Sequence, residues 1–408
     1  MTFSFAPRSA SGRTYPLIPA VLALALGAFA IGVTEFTIMG LLPQAVEDLG
    51  VDLPSGGILI SAYAIGVVVG APILAAALAT LDRRMSAGLL MVLFALGHFG
   101  SIFAPDYTSM LAARFISGLP HGAYFSAAAL AASHLAGPAR RGQAISWVLA
   151  GLSVAMLVGA PAATWLGQIT HWRSMFILVT VLASLTVLLV FLLVPRVPAP
   201  ENASIRRELS GLKSAGLWKA IIVAVIGFAG VFALYTYIAE ITVQVGGMPA
   251  SLIPLVLAIY GVGGVAGTLL GGKMANTRPV FTVIVMIAAL TASLALFGLT
   301  SPWWILSCVF VLTAGATASA LSPAMQVILV DSAPQSPQLA GAFNHSAFNM
   351  ANAMGAWIGA GVLQAGFGVQ VTPLAGAAVA AVGLVLAVPL LGGRRIQRRS
   401  TRGVNATD

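Results

Sequence analysis

"PRVPAPENASIRRELSGLKSAGLW", residues 195–218, is the longest polar segment of this chain. Its three prolines and its charged and small polar residues are typical of a loop. Six long apolar segments precede it and six follow it. The stretch therefore predicts a linker between two halves that contain the same number of apolar segments.

The composition on both sides of this linker excludes a water-soluble protein. Of the 408 residues, 59% are hydrophobic and only 8% are charged, and the mean hydropathy is +0.98. Soluble domains carry about 25% charged residues, so this chain has too few charges to cover a surface in water. Its surroundings are predicted to be a lipid bilayer.

Each apolar segment is close to the ~20 residues that an α-helix needs to cross a bilayer. Backbone polar groups must be paired inside lipid, so these segments are predicted as helices and not as isolated strands. We expect an all-α membrane protein with 12 transmembrane helices in two six-helix bundles. The approximate limits are 16–42, 57–80, 86–104, 107–134, 143–167, 173–194, 219–243, 253–272, 280–300, 303–329, 339–363 and 373–392.

The same limits divide the chain into predicted domains. Two short tails flank the bundles, and the second tail is strongly basic. The predicted parts are a cytoplasmic N-terminal tail (1–15), an N-terminal six-helix bundle (16–194), a cytoplasmic linker (195–218), a C-terminal six-helix bundle (219–393) and a basic cytoplasmic tail (394–408).

Basic residues indicate how the chain is oriented. With the N-terminus in the cytoplasm, 18 of the 20 Lys and Arg residues fall on the cytoplasmic side, and the exceptions are Arg114 and Arg173. Cytoplasmic loops are enriched in Lys and Arg, so we expect both termini to lie inside. The net charge of +9 and the pI near 10.3 then reflect topology, and no nucleic-acid partner is expected.

The two halves resemble each other in sequence. "GVVVGAPILAAALATLDRR" matches "GVGGVAGTLLGGKMANTR" and aligns Gly66 with Gly261, while "MLVGAPAATWLGQ" matches "NAMGAWIGAGVLQ" and aligns Gly159 with Gly355. The two alignments agree in register to within one position. Six helices return the chain to the same side of the membrane, so parallel repeats are predicted, related by an axis along the membrane normal.

Small residues recur at close to helical spacing in spans two, five, eight and eleven. Such ridges let helices approach closely in lipid. We expect them to form a seam on which the halves rock, and the alternative is ordinary packing within a bundle. The residues are Gly66, Gly70, Gly151, Ala155, Gly159, Ala163, Gly167, Gly263, Gly267, Gly271, Gly355 and Gly359.

Glu35 is a carboxylate in the middle of the first apolar segment. A charge at mid-membrane costs about 2.5–3.5 kcal/mol on insertion scales, and intramembrane ionisable residues are functional candidates by default. Arg114 of span four is predicted at a similar depth, so one interpretation is an ion pair. The other is proton coupling, in which Glu35 alternates between Arg114 and apolar surroundings and so binds and releases a proton. A substrate cation is a further candidate ligand of Glu35.

Other polar and aromatic residues of the spans are candidates for a central cavity. His121 follows Arg114 by seven residues on one helical face, and its unperturbed pKa lies near physiological pH. We therefore place it with the proton-coupling residues, the alternative being a neutral structural histidine. His98 is interpreted as structural, and Glu240 as a solvated residue at an outer helix end. The candidate cavity residues are Met39, Tyr63, Tyr235, Tyr237, His345, Asn349 and Asn352.

Over essentially its whole length the chain resembles the major facilitator superfamily. "GVTEFTIMGLLP" and "ARFISGLPHGAYFSAAALAA" are similar to the bacterial drug:proton antiporter group, which contains chloramphenicol exporters and exporters of arabinose-type sugars or purine nucleosides. The resemblance implies proton-driven efflux by alternating access from the bacterial cytoplasmic membrane. It also implies that Glu35 is the acidic residue of helix one and that Arg114, in "RFISG", is linked to proton transfer.

Two further motifs carry the resemblance. "LATLDRRM" matches the cytoplasmic loop between helices two and three, which implies a gating role for Asp82, Arg83 and Arg84. "GLSVAMLVGAP" matches the antiporter motif of helix five, and this match favours export over uptake. The antiporter residues are Gly151, Gly159 and Pro161.

Other function classes fit the sequence less well. No GxxxxGK[ST] phosphate-binding loop is present, and the polar segments are too short for a catalytic domain, so no enzyme is expected. A channel would need a ring of like polar groups. Cys308 is the only cysteine, which excludes an intrachain disulfide and a Cys-based metal site.

The expected partners are therefore protons, a small-molecule substrate and lipid. No metal or cofactor is expected, because the proton gradient supplies the energy, and we expect a monomer. Apolar spans with scattered Tyr, Phe, Met and Asn favour an amphiphilic, drug-like substrate, with chloramphenicol-type compounds as the first candidate. Sugars and purine nucleosides are the alternative.

Overall fold

The computed structural model describes residues 17–78, 80–137, 141–198, 210–275, 277–333 and 336–392. The predicted tails, residues 1–15 and 394–408, and the central part of the linker, residues 199–209, lie outside the described residues. Within the described ranges the regular structure is helical, with no β-strand.

Fifteen helices of eight or more residues make up the described fold. The first nine are α1 (Leu17–Gly40), α2 (Leu42–Leu49), α3 (Leu53–Ala77), α4 (Arg83–Phe103), α5 (Tyr107–Gly118), α6 (His121–Ala136), α7 (Arg141–Val154), α8 (Ala160–Ile169) and α9 (Ser174–Leu193). The other six are α10 (Ala215–Tyr235), α11 (Ile253–Ala275), α12 (Pro279–Thr300), α13 (Trp304–Ser332), α14 (Pro337–Gln364) and α15 (Thr372–Gly392).

Within the described ranges, ten segments are long and apolar enough to cross a membrane, and they correspond to ten of the twelve predicted spans. The other two predicted spans, 107–134 and 339–363, are also helical. Span 107–134 is broken into α5 and α6 at Leu119–Pro120, because proline has no N–H to continue the backbone ladder. Span 339–363 is α14, which is continuous but carries three Asn residues and one His. The chain is thus an all-helical, multi-pass membrane protein.

The helices pack in two groups. Helices α1 to α9 form the N-terminal half, and α10 to α15 form the C-terminal half. The halves meet where α3 packs on α14 and where α11 packs on α8 and on the π-helical turn Ala155–Gly159. They are closed at the end that carries α2, where Gln168 Nε2 donates to Ala250 O at 2.9 Å.

Glycine contacts reveal how the two halves correspond. A Cβ on Gly66 would lie 2.2 Å from Phe115 O, and one on Gly263 would lie 2.1 Å from Leu312 O. The same sequence shift relates two further pairs of contacts, in which Gly118 meets Tyr63 O and Gly315 meets Tyr260 O, and in which Gly70 meets Leu119 O and Gly267 meets Ala316 O. Gly66 is therefore equivalent to Gly263, and the predicted alignment of Gly66 with Gly261 is wrong.

Helices α1 and α7 correspond to α10 and α14 at a different shift. Gly151 lies against Ala25 O, and Gly355 lies against Ala229 O. Gly355 is therefore equivalent to Gly151 and not to Gly159, so the predicted alignment is wrong by about two helical turns. Recurrent Gly and Ala allow several sequence registers, and only packing separates them.

The predicted helices do form the seam, since span two packs on span eleven and span five on span eight, but the prediction that the small-residue ridges line it is wrong. Gly66 and Gly70 pack on α5 and its end, Gly151 and Gly159 on α1, Gly263, Gly267 and Gly271 on α13, and Gly355 on α10, all within one half. The alternative, packing within a bundle, is correct for these residues. The close contacts across the seam come from Gly57 against Tyr237 and Ala356, and from Gly261 and Gly264 against Met156.

Candidate functional site

Glu35 and Arg114 are buried neighbours in the N-terminal half. Glu35 lies on α1 and is 7% exposed, and Arg114 lies on α5 and is 1% exposed. The two side chains are close enough to interact electrostatically. No carboxylate oxygen of Glu35, however, lies within 4.0 Å of a guanidinium nitrogen of Arg114, so the two described side chains do not form an ion pair. The predicted proximity is confirmed, whereas direct ion pairing is wrong for this conformation.

Arg114 is held by its own half. Its Nη1 donates to Thr34 Oγ1 at 3.1 Å, and its guanidinium carbon lies 4.4 Å from the centre of the Tyr63 ring. Phe176 of α9 approaches at 6.0 Å. Aromatic faces attract a guanidinium electrostatically, which offsets part of the cost of burying it. Arg114 Nε has no hydrogen-bond partner.

The Thr34 hydroxyl also forms a hydrogen bond with His98 of α4. His98 Nδ1 lies 2.9 Å from Phe94 O, and its Nε2 lies 2.8 Å from Thr34 Oγ1. A carbonyl can only accept, so Nδ1 carries the proton, and Nε2 of the neutral ring accepts from Thr34. The buried hydrogen bonds therefore run from Arg114 to Thr34 to His98. The sequence interpretation of His98 as structural missed its connection to Arg114.

The C-terminal half presents neutral polar and aromatic groups to Glu35. The Tyr235 ring lies edge-on to Phe36 at 5.9 Å and 4.3 Å from the Tyr260 ring. Glu35 interacts electrostatically with both tyrosines, and the Asn349 side chain lies beside its carboxylate. Sequence reasoning missed Tyr260, although the correct repeat register would have identified it as the counterpart of Tyr63.

Several buried polar atoms on this face have no hydrogen-bond partner. They are Tyr235 Oη, Asn349 Oδ1 and Asn352 Oδ1. The Asn349 Nδ2 atom donates along its own helix to His345 O at 3.1 Å. Buried polar groups are normally paired, so unpaired ones indicate a place for water or a ligand. The predicted Tyr235 and Asn349 thus lie near Glu35, and Asn352 follows Asn349 by three residues on α14.

Histidines from the two halves meet beside this group. His121 Nδ1 lies 2.9 Å from Tyr63 Oη, and its ring centre lies 6.0 Å from that of His345. His345 stacks on Phe125 at 4.5 Å, with an interplanar angle of 9°. Tyr63 therefore touches both Arg114 and His121. Since His121 in turn lies against His345, these contacts connect the surroundings of Glu35 to α14.

Comparisons with known proteins agree with this architecture. The sequence model of the Major Facilitator Superfamily matches residues 24–336 and 247–407. The chain belongs to this superfamily. It is a transporter and not an enzyme. The crystal structure of a D-xylose–proton symporter has the same fold, with a TM-score of 0.73 and 17% identity over 91% of this chain and 97% of that one.

Curated relatives are similar over nearly their full length. The inner membrane transport protein YdhP of Escherichia coli is 34% identical, covering 91% of this chain and 95% of the relative. A chloramphenicol resistance protein of Streptomyces lividans is 29% identical, covering 90% and 94%. A probable sugar efflux transporter of Mannheimia succiniciproducens is 29% identical, covering 84% and 87%.

One predicted cavity residue, Tyr237, contacts the seam at the α2 end. Tyr237 donates from its hydroxyl to Ala356 O at 3.2 Å, and its ring packs on Gly57 and Gly359. It therefore belongs to the closed seam at the α2 end. Met39 is fully buried and lies one helical turn after Glu35 on the same face of α1.

The predicted gate loop of this superfamily contacts its own half. Asp82 caps α4 by accepting from Arg84 N and Met85 N at 3.0 and 3.2 Å. Arg83 N donates to Val197 O at 2.8 Å, and Arg84 Nη1 reaches Val194 O at 3.4 Å. The loop is thus fastened to the chain that follows α9.

The predicted antiporter motif surrounds a local change in helix geometry. Pro161 has no N–H, and the preceding turn, Ala155–Gly159, is π-helical. Such a turn is a common response to an interrupted ladder and is frequent at functional sites. Gly151 and Gly159 pack on α1, while the π-helical turn faces α11 of the other half. The motif therefore links the helix that carries Glu35 to the seam.

A polar cluster ties the α2 end of the N-terminal half together. Asp48 accepts from Trp172 Nε1 at 3.0 Å and from Arg173, whose Nη1 also donates to Ala104 O at 2.8 Å. Partial burial raises the pKa of Asp48, but the hydrogen bonds from Trp172 and Arg173 outweigh it, so the pKa lies below its usual value. The cluster fixes α2 to α4 and α9.

Glu240, predicted to be solvated, is buried with 7% exposure. It ends the three-residue helical turn Ile238–Glu240, directly before a second π-helical turn, Ile241–Val245. Its side-chain partner is Gln244. The prediction of a solvated Glu240 is wrong.

Proposed function

We propose that this transporter is a proton-coupled antiporter that exports small amphiphilic compounds by alternating access. The observation that carries the proposal is Glu35, a buried carboxylate that lies near Arg114 without pairing to it and faces neutral groups of the other half. A carboxylate in such a site can bind a proton when it faces apolar groups and release it when it approaches a cation. The proton gradient then supplies the energy, without a cofactor.

The proposed cycle uses the two halves as rigid bodies on either side of the site. Twelve crossings, with both termini in the cytoplasm, place the α2 end outside and Arg83 inside. Closure at the α2 end, through Gln168 and Ala250, then corresponds to a state shut toward the outside. Export requires this contact to break and the opposite end to close. The proposed unit is a monomer in the bacterial cytoplasmic membrane.

Chloramphenicol-type compounds are the proposed substrates. The chloramphenicol resistance protein among the relatives supports this choice. Tyr235 and Tyr260 offer aromatic surface, and Asn349 and Asn352 offer unpaired polar atoms. A compound with an aromatic ring, hydroxyls and an amide fits such a mixture, because aromatic and polar groups are both needed to match it.

Sugar export is the second candidate. One relative is a probable sugar efflux transporter. The unpaired Tyr235 Oη, Asn349 Oδ1 and Asn352 Oδ1 favour a substrate with several hydroxyl groups. Purine nucleosides belong to the same alternative by their hydroxyl and amide-like groups.

The test measures chloramphenicol accumulation in cells that express the chain, with and without a protonophore. Accumulation should fall on expression and recover with the protonophore. Glu35→Gln should abolish export while the protein remains in the membrane. Glu240→Gln is the matched control, because it neutralises an equally buried carboxylate outside the Glu35 group, and it should retain export.

Undiminished export by Glu35→Gln would refute the proton-coupling role. Unchanged accumulation with the parent chain would refute chloramphenicol as a substrate, and the same cells would then be loaded with labelled arabinose. Export of the sugar that stops with the protonophore would support the second candidate.

A further inference from the structure

We propose that Thr34 and His98 are positioning residues that hold the Arg114 guanidinium away from Glu35. The proposal rests on the proposed function, in which Glu35 carries the proton. It assigns a role to two neutral side chains, one directly before Glu35 in α1 and one in α4, that do not themselves exchange the proton.

The geometry gives Arg114 a neutral acceptor in place of the carboxylate. Its Nη1 donates to Thr34 Oγ1, and the Thr34 proton is committed to His98 Nε2. Because His98 Nδ1 donates to Phe94 O, His98 can only accept at Nε2 while it is neutral. The orientation of the Thr34 hydroxyl is therefore fixed, with its lone pairs free for Arg114.

Arg114, Thr34 and His98 are each at most 1% exposed, so water does not compete for the hydrogen bonds between them. Hydrogen bonds to charged groups are stronger than neutral ones, and leaving a buried charged donor unpaired is costly. Arg114 Nε already lacks a partner. If Thr34 no longer accepts, the guanidinium has Glu35 as its remaining strong acceptor, and a direct ion pair becomes favourable.

The other titratable groups around these three residues, apart from Glu35, are tyrosine or histidine side chains. On the neighbouring helices they are Tyr63 (α3), His121 (α6), Tyr235 (α10), Tyr260 (α11) and His345 (α14), and α9 contributes the apolar Phe176. Glu35 is the carboxylate of this group, so it is the anion that gains when Arg114 is released.

The consequence is a change in the pH at which Glu35 takes up its proton. A cation that moves close to a carboxylate favours its charged form, commonly by about one to three pH units. Thr34→Val removes the acceptor with little change in shape. We expect half-protonation of Glu35 to move by about one unit toward acid pH.

The experiment is an infrared titration of the purified full-length protein in detergent. The carbonyl band of protonated Glu35 is identified by its absence in Glu35→Gln and followed as a function of pH. In Thr34→Val the midpoint of Glu35 protonation should move by about one pH unit toward acid pH. His98→Phe should show a smaller shift in the same direction, because Thr34 keeps its oxygen but loses the acceptor that orients it.

Two variants serve as controls. Thr34→Ser keeps the hydroxyl and should titrate like the parent protein. Thr37→Val removes a buried hydroxyl of the same helix that bonds only to Val33 O of its own helix, and it should also titrate like the parent. Size-exclusion chromatography confirms that each variant is folded.

A Thr34→Val midpoint equal to that of the parent, or a shift of the same size in Thr37→Val, would overturn the positioning role. This titration needs no substrate. A failure of export in the accumulation assay would therefore refute the proposed function, while the infrared midpoints would still decide the role of Thr34 and His98.

Discussion

The N-terminal and C-terminal halves use the same packing for different chemistry. Gly118 against Tyr63 and Gly315 against Tyr260 are equivalent contacts, so the two helix frames correspond closely. The N-terminal half adds Glu35 and Arg114 to this frame, with hydrogen bonds that hold the cation. At the equivalent surface the C-terminal half carries neutral tyrosine and asparagine side chains, several with unpaired atoms.

This difference suggests a division of labour between the halves. Burying charge is costly, and a half that contains it needs internal partners such as Thr34 and Tyr63. A neutral face with unpaired polar atoms can instead exchange water for substrate at little cost. We therefore propose that the N-terminal half binds the proton and that the C-terminal half provides most of the substrate recognition.

The largest expected effect comes from removing the cation of the N-terminal half. Arg114→Gln removes the positive charge that Glu35 needs nearby when it ionises, so the carboxyl keeps its proton and coupling fails. Leaving a buried charge unpaired costs about 3–5 kcal/mol, and each ~1.4 kcal/mol is tenfold. Export measured in proteoliposomes with an imposed proton gradient should fall by at least about 100-fold.

The matched control is Arg278→Gln, which removes an exposed cation from the C-terminal half. It should export at nearly the parent rate. An equal loss of export in the two variants would mean that the net charge of the protein matters and that the position of Arg114 does not.

A second pair of substitutions tests whether the helices of the two halves pack in the same way. Gly118→Ala would place its Cβ 2.1 Å from Tyr63 O, and Gly315→Ala would place its Cβ 2.4 Å from Tyr260 O. Each should destabilise the protein by about 1–3 kcal/mol through overpacking. Thermal unfolding in detergent should show similar decreases, whereas Gly361→Ala, whose Cβ meets no atom within 4 Å, should show none. Unequal decreases would argue against a shared frame.

The sequence predicted the helices well because long apolar runs are a strong signal in a membrane protein. It did not predict the repeat register, because Gly and Ala recur so often that Gly159 and Gly151 match Gly355 about equally well. The correct shift also differs between the two sets of helices, because the loops of the halves differ in length. No single alignment shift could therefore have been correct.

The candidate site was partly predictable for a related reason. Glu35, Arg114 and His121 stand out as ionisable residues in apolar segments, and the structure brings them to one region around Tyr63. Thr34 does not stand out, because threonine is common in such helices, and Tyr260 was missed because the predicted repeat register did not align it with Tyr63. His98 was visible in the sequence, but its partner lies on another helix, and sequence spacing cannot report that contact.

A third prediction concerns the neutral face. Asn349→Ala removes a polar group beside Glu35, and one hydrogen bond contributes about 1 kcal/mol. The KM for chloramphenicol should rise about five- to tenfold, while the dependence of export on the proton gradient stays the same. Transport kinetics at several imposed pH gradients measure both quantities. A loss of proton dependence in this variant would contradict the division between the halves.

The smallest expected effect lies at the α2 end, away from both faces. The pKa of Asp48 is below its usual value because bonds from Trp172 and Arg173 outweigh partial burial. A depressed carboxyl pKa stabilises the folded state above the unfolded pKa, and the contribution disappears as pH falls through the folded pKa. Asp48→Asn should thus lower the melting temperature by a few degrees at neutral pH.

The same comparison at acid pH provides the check on Asp48. Once the parent carboxyl is protonated, the parent and Asp48→Asn should unfold at closely similar temperatures in detergent. A difference that persists unchanged at the lowest pH would mean that the charge of Asp48 does not stabilise the cluster.

The most direct test of the division between the halves is to count protons released when the purified protein binds chloramphenicol, by calorimetry in buffers of different ionisation enthalpy. The parent should release about one proton, Asn349→Ala should bind more weakly and still release it, and Glu35→Gln should bind without release. Proton release that persists in Glu35→Gln would contradict the account, because the exchanged proton would then reside elsewhere.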